Sequence, residues 1–432
     1  MKNFNIKKYN IDSAVKSQVV LAIAIFIAIF LFSILSLFAV AFYSDGGNES
    51  VGEGENTTTQ SIVNNEIEDE IISQENLASI YDLIEDNHEL TRRDNLNDKG
   101  KEIYDQLYEA TKNRTEFVYI DDREYSEERS DELSNIFVNM LSLFVLTDHP
   151  ELFWTNGGLL VNCRVTNSGT EYSYSVLSDC EESNIDKYNL KIKQKAEEII
   201  KIMPDGSDYE KALWVHDYIV ENTTYKNDVS WFVGKEESFS ASIYSLLLKN
   251  ESNCNGYSKT YKYLMDMLNI PCTVVVGTCN DGVLHAWNII EIDGEYYQVD
   301  TTWDDPLGVN QAVHHNYFCI TDEEMYKSRT LESAVSAPVC TSTKYNYHVC
   351  NNLYASEINE DVFSNAVDFY LNNSEDQVEI KFSTIDLTIQ AEKYINSDNS
   401  FREMLMKKGF EFDTQISYSK YDDTNVIEIT IE

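Results

Sequence analysis

The sequence predicts an α+β fold: a helix bearing a cysteine packed on an antiparallel sheet bearing a histidine and an aspartate, preceded by a transmembrane helix and followed by a small α+β domain. Three observations carry this. A 3.6-period apolar face opens at Cys254, with Tyr257, Tyr261, Leu264, Met265 and Leu268 on one side, and Asn269 and Pro271 end it. Two strand-like runs, 284–292 and 295–302, flank Asp293-Gly294, the strongest short-range signal for a two-residue hairpin. An uncharged run, 19–43, is long enough to cross a bilayer.

The stretch 253–306 brings chemistry to these elements. A thiol at a helix N-terminus feels the positive end of the macrodipole, which favours the nucleophilic thiolate, so Cys254 is a candidate nucleophile. The hairpin places the rest. If Ile292 faces Glu295, Trp287 faces Asp300 and His285 faces Thr302. His285 and Asp300 are then diagonal neighbours on one face of the sheet, roughly 7–8 Å apart between backbones, a gap that an imidazole bridges. Nucleophile, base and orienting carboxylate follow in the order Cys254, His285, Asp300. A lone cysteine or histidine is ordinarily a packing residue; three placed coherently are not.

This stretch resembles the core of the transglutaminase-like superfamily, papain-related Cys-His-Asp proteins, and above all its bacterial members with C-x-G-Y, G-I-P, H-A-W-N and D-x-T-W-D-D. Cys254, Gly256 and Tyr257 match the first element, and Asn269-Ile270-Pro271 the second, with Asn for Gly. His285-Ala286-Trp287-Asn288 and Asp300-Thr301-Thr302-Trp303-Asp304-Asp305 match the last two. The resemblance implies a papain-like, transglutaminase-like core and a thiol acyltransferase or peptidase that acts on peptide or isopeptide amides and passes the acyl group to an amine or to water. Tyr244 matches a tyrosine common in these relatives, which implies a part in the oxyanion site beside the Cys254 backbone N–H; simple packing is equally open. No Gln stands just upstream of Cys254, so papain's oxyanion arrangement is not carried over. The alternative is a catalytically silent scaffold or binding module of the same fold. No cofactor is implied.

The rest of the chain is read around this core. Its 432 residues suffice for two or three domains, and its net charge of −41 argues against nucleic acid. Residues 1–18 carry Lys2, Lys7, Lys8 and Lys16, and no Lys or Arg follows until Arg92, so the N-terminus is expected in the cytoplasm and the head outside. A cleaved signal peptide ending at Ala39-Val40-Ala41 competes, but the apolar run exceeds the roughly 7–15 residues of a signal core. Residues 44–78 read as an acidic linker. Residues 79–206 read as mostly helical, with a stripe of Leu133, Ile136, Phe137, Met140, Leu141 and Phe144 and a strand pair within 158–176. His149, in D-H-P-E-L-F-W, reads as a turn residue. The catalytic core is expected over 207–330, opening with a helix capped by Asp205 or by Ser207, with Glu210 three residues beyond Ser207, and on its inner face His216 packs. Residues 357–432 read as a separate small α+β accessory domain.

His314-His315-x-x-x-Cys319 invites a metal, yet no fourth ligand has a recognisable spacing, so no metal is expected. Of the eight cysteines, Cys340 with Cys350 and Cys163 with Cys180 are the local pairs open to a disulfide; removing the nucleophile leaves an odd number. The expected partners are the membrane, through the N-terminal helix, and a protein or peptide substrate, cell-wall peptide included. Neither the substrate nor the oligomeric state is fixed by these patterns.

Overall fold

The computed structural model describes residues 77–431 apart from 86, 168, 227–240, 306–312, 374–376, 398 and 412, together with residues 7–8. The expected membrane span 19–43 lies outside the described residues. Among the described residues no helix is long and apolar enough to cross a membrane.

The region expected to be mostly helical also holds a sheet. Helix α1 (Asp98–Asn113) starts where the Asn97 side chain accepts from the Gly100 N–H, and it ends at Arg114 in the left-handed region. Strand β1 (Phe117–Asp121) alternates buried and exposed residues. The expected hairpin is β2 (Leu159–Thr166) and β3 (Gly169–Val176), and β1 pairs with the other edge of β3 to give the antiparallel order β1-β3-β2. Five residues of alternation between two helical patterns are too few to stand out in the sequence, which is why β1 was not expected. Helix α2 (Glu127–Asn139) continues through a π-helical turn at Met140–Val145 and buries the whole predicted stripe. At its end Asp148 accepts from the Arg92 and Arg93 N–H groups and the Tyr104 hydroxyl. The buried Arg92 guanidinium donates in turn to Val274 O and Ser336 O, fastening this region to the catalytic sheet.

Helix α3 (Glu182–Ile202) precedes α4 (Asp208–Asn222), which opens on the predicted capping box of Ser207 and Glu210. Two short strands, β4 (Thr224–Tyr225) and β5 (Glu251–Ser252), run parallel, with α5 (Ile243–Lys249) between them in sequence. Helix α6 (Cys254–Leu268) then ends on Asn269 at φ 57°, as its sequence suggests. It packs across β6 (Cys272–Cys279) and β7 (Leu284–Ile292). With β8 (Glu295–Val299), β9 (Phe318–Ile320) and β10 (Arg329–Leu331) these strands form an antiparallel sheet in the order β9-β8-β7-β6-β10. Asp293 and Gly294 both have positive φ, and the ladder runs from Ile292 opposite Glu295 to Asn288 opposite Val299, the register counted from the sequence. Two single turns, α7 (Asp322–Met325) and α8 (Tyr347–Cys350), lead to the tail.

The tail comprises β11 (Tyr354–Ala355), α9 (Glu360–Asn373), β12 (Val378–Phe382), α10 (Ile385–Ser397), α11 (Asn399–Lys407), β13 (Ile416–Tyr421) and β14 (Val426–Ile431). Its sheet runs β13-β14-β12-β11, with Lys7–Lys8 lying parallel to β13 at the outer edge. The sequence pattern suggests two folding units, but the packing does not separate them. Phe363, Ile380, Phe382, Phe401 and Ile429 belong to the same apolar cluster as Tyr257, Leu264, Ile290 and Phe318 of the core. Tyr317 donates its hydroxyl to Asp423, and Lys381 meets Glu324 at 2.7 Å. All eight cysteines are free, so neither local pair forms a disulfide: Cys340 is buried while Cys350 is exposed, and Cys163 is exposed while Cys180 is half-buried.

Each large side chain buried across this junction contributes about 1.5–3 kcal/mol, and a few of them match the roughly 5–15 kcal/mol net stability of a domain. Deleting residues 357–432 is therefore expected to lower the melting temperature sharply and raise dye binding to exposed apolar surface. A truncated chain melting at the temperature of the full one would show an independent tail instead.

Candidate active site

The nucleophile is set by close packing around the start of α6. Asn253 caps the helix, its side chain accepting from the Asn255 N–H at 3.1 Å, and Cys254 is the first helical residue, half-buried. Gly256 is required by space: a Cβ there would stand 1.8 Å from Ser252 Oγ. Asn288 of the H-A-W-N run lies buried and donates through Nδ2 to Ser258 O at 3.0 Å and to Thr273 O at 3.2 Å, so one amide fixes the helix to the sheet that bears the base.

His285 and Asp300 meet as the register requires. Asp300 leaves the ladder just past β8, and its Oδ2 lies 2.7 Å from His285 Nε2, with both residues buried. Nε2 being committed, Nδ1 is the ring nitrogen left for the Cys254 thiol, whose nearness raises the proton affinity of the ring. Burial pushes the imidazole down, but the Asp300 carboxylate and then Cys254 outweigh it, and the group titrates at about 9. Burial likewise raises Asp300; the imidazole and the Arg329 guanidinium outweigh that and hold its carboxyl well below the usual range. The other thiols near the site behave differently. Burial pushes Cys279 up to about 12 and Cys272 higher still, which leaves them protonated and inert.

Every residue of the D-T-T-W-D-D run except the two threonine side chains has a visible task. Asp300 Oδ1 accepts from the Thr302 and Trp303 N–H groups at 3.0 and 3.1 Å. The Trp303 ring supports the Arg329 guanidinium at 3.8 Å. Asp304 accepts from the Tyr317 N–H and lies 3.1 Å from His216 Nε2. Asp305 accepts from the Tyr257 hydroxyl.

Two residues that the sequence analysis did not single out belong here. Arg329, fully buried on β10, donates to the same Asp300 oxygen as His285. It arrives because Gly277, opposite His285 in the ladder, lets β10 approach: a Cβ at Gly277 would stand 2.0 Å from Thr330 O. A lone arginine beyond the motif, on a three-residue strand, gives no local signal. Tyr225, on the short strand β4 that follows α4, has its ring 6.3 Å from that of Tyr257. Burial, followed by the charges of Cys254 and Asp300, keeps its phenol protonated.

The remaining candidates fall elsewhere. Tyr244 is buried between Phe153 and Tyr188, with ring centroids at 5.8 and 4.9 Å, contacts that accord with the packing role left open for it. His149 stacks on Tyr108 and pairs with Glu151 at 3.0 Å, in keeping with a turn residue. His216 packs as expected, but between two carboxylates, Asp217 at 2.9 Å and Asp304 at 3.1 Å. Cys319 lies in the apolar cluster, apart from the groups that His314 and His315 join.

Residues 194–301 match the family profile of the transglutaminase-like superfamily. No curated protein matches the chain. Among solved structures, a transglutaminase, described as a TGase, shares 17% identity over 46% of this chain and 53% of its own, with a TM-score of 0.25. A candidate cysteine protease from Cytophaga hutchinsonii shares 16% over 35% and 64%, TM-score 0.22. A candidate protease from Parabacteroides distasonis shares 8% over 36% and 41%, TM-score 0.19. The chain spans about half the length of these proteins. Residues 194–301 are thus a transglutaminase-like domain within the longer chain.

Proposed function

We propose that this protein is a thiol acyl-transfer enzyme acting on peptide or isopeptide amides. The observation that carries the reading is the 2.7 Å bond between His285 and a buried Asp300, which leaves the other ring nitrogen uncommitted, Cys254 being the thiol of the motif that stands at a helix N-terminus. Cys254 attacks the acyl carbon to form a thioester, and the His285 imidazolium returns the proton to the departing amine. Asp300 holds the ring in the orientation and tautomer that both steps need. The Cys254 N–H and the protonated Tyr225 hydroxyl are the donors best suited to the oxyanion. Water or an amine then takes the acyl group, and the same triad serves either.

One feature favours a silent scaffold: Arg329 shares the carboxylate oxygen that orients His285 and so weakens its hold on the imidazolium. A thiol probe separates the two readings. An enzyme labels selectively at Cys254 at neutral pH, whereas a scaffold labels no faster there than at Cys163 or Cys350, the exposed thiols.

We further propose that the head lies outside the cytoplasmic membrane, held by the 19–43 run, and works on envelope protein or wall peptide. A spanning helix there and the pairing of Lys7–Lys8 with β13 exclude each other, because they put residues 7–8 on opposite sides of the bilayer. Protease shaving of intact cells is expected to release a fragment that begins beyond Ser44. Full protection of the chain, or a mature N-terminus at Phe42, would defeat the anchored topology.

Substitutions should act unequally. Cys254→Ala is expected to abolish thioester formation, and His285→Ala to be nearly as severe. Asp300→Asn should lower the rate by about 10²–10⁴. It should also move the alkaline limb of the rate profile down from about pH 9, since burial then acts on His285 without its counter-charge. An unchanged limb in Asp300→Asn would remove Asp300 from its orienting role.

Arg329→Met should cost about 3–5 kcal/mol in urea unfolding, because it takes one partner from a fully buried ion pair. A cost below 1 kcal/mol would mean that His285 and the two backbone donors suffice to hold Asp300.

A further inference from the structure

Behind the catalytic loop the chain buries ionisable groups that acyl transfer does not use. Glu379 on β12 and Glu428 on β14 are direct cross-strand partners, and both are buried. Like charges facing each other across a ladder repel, and burial removes the water that would screen them. A positive charge must lie beside them. Lys381, on the same strand as Glu379, is committed to Glu324 and to Thr424 O. What faces the pair is His314, from the loop before β9: its Nδ1 stands 2.8 Å from Glu428 Oε2 and 3.5 Å from Glu379 Oε1.

Glu379 is ringed by imidazoles without a hydrogen bond to any of them. Its carboxylate is 5% exposed, and neither oxygen has a hydrogen-bond partner. His348 Nε2 and His315 Nδ1 stand 3.2 and 3.8 Å from Oε2. Charge-assisted hydrogen bonds draw in to about 2.7–2.9 Å. Two ligands sharing a tetrahedral metal at about 2.0–2.2 Å stand roughly 3.3–3.6 Å apart. The ligand atoms of His314, Glu379 and Glu428 all lie within 4.8 Å of one another. His216, Asp217 and His315 form a second such group, but there both imidazoles already bond to Asp217 Oδ1 at 2.9 and 3.0 Å, whereas the 2.8 Å pair of His314 with Glu428 leaves both oxygens of Glu379 unmet.

We propose that His314, Glu379 and Glu428 bind a divalent transition-metal ion, zinc by its donor set, which staples the tail sheet to the catalytic core. One imidazole and two carboxylates suit zinc, whereas calcium and magnesium take oxygen ligands. Gln377 Nε2 lies 3.2 Å from His314 Nδ1, and turning that amide over presents its oxygen to the same point as a fourth ligand. Tyr421 donates to Glu428 Oε2 at 3.2 Å, the kind of outer contact that orients a metal-binding carboxylate. The sequence hid this site because its carboxylates lie on the tail strands, far from the two adjacent histidines, while Cys319 points the search the wrong way.

The test uses the full chain in detergent, stripped with a chelator, loaded with zinc chloride, desalted and assayed by mass spectrometry for metal. About one zinc per chain should remain, and zinc at a hundredfold excess over its Kd should raise the melting temperature by about 3–4 °C. Glu428→Gln and His314→Ala should each bind zinc at least tenfold more weakly, about the least that loss of a metal contact costs. Cys254→Ala should keep the ion, which separates this site from a zinc held by the catalytic thiol and His285. If the seam variants do not fold, cobalt(II) loading of the unaltered chain decides: visible bands without thiolate charge transfer support the nitrogen–oxygen site. No metal on the unaltered chain, a thiolate charge-transfer band, or metal lost with Cys254→Ala and kept by Glu428→Gln overturns the proposal. The site rests on the seam alone, so an inert Cys254 would leave it untouched.

Discussion

A carboxylate with no access to water, that of Asp300, is the constraint on which the rest of the site depends. An ion so placed costs several kcal/mol in lost hydration and is tolerated only if each of its lone pairs is met. Two backbone N–H groups meet Oδ1, and His285 and Arg329 share Oδ2. Each of those partners fixes an element. The backbone donors bind the turn after β8, His285 ties that turn to β7, and Arg329 draws in β10, for which Gly277 leaves room. The aromatic rings around the guanidinium, Trp287, Trp303 and Tyr317, replace its water and close the pocket. The catalytic sheet is thus braced from both sides by one charge.

How much of this is legible in the sequence follows from how local each cause is. The hairpin could be counted residue by residue because Asp293-Gly294 allows one turn geometry, and a ladder with a known turn has no freedom of register. The helix under Cys254 was equally plain, with an apolar face and a stop at Asn269 and Pro271. Arg329 was invisible because its meaning comes from a crossover that no periodicity announces. Tyr225 was passed over for a comparable reason: it reads as the end of a helix, and only the return of β5 beside β4 brings it toward the thiol. Tyr244 shows the converse: motif position left its role open between oxyanion support and packing, and the aromatic contacts with Phe153 and Tyr188 supply the packing.

The tail illustrates a limit of pattern reading. Its strands and helices alternate as a self-contained unit would, and most of them appear where the alternation places them. Periodicity, however, reports which face of an element is apolar and says nothing about what covers it. Here the cover is shared: Phe363 and Ile380 on one side and Tyr257 and Ile290 on the other belong to one cluster. Beside it runs a polar seam from Asp304 through His216, Asp217 and His315 to Glu379. That chain begins in the catalytic loop, four residues after Asp300, so the tail bears on the geometry of the site without contributing a group to it.

The two kinds of buried histidine in this molecule separate structural from chemical roles. His216 has a carboxylate at each nitrogen, Asp217 and Asp304. Burial lowers the affinity of the ring for protons, and the two carboxylates more than restore it. A histidine with both nitrogens committed to carboxylates can brace a loop, but it has no nitrogen left for a reacting group. His285 has a carboxylate at one nitrogen only. The other nitrogen is left for a group of different chemistry, which is what the proposed acyl transfer asks of its base. Of the two rings, that requirement selects His285 over His216.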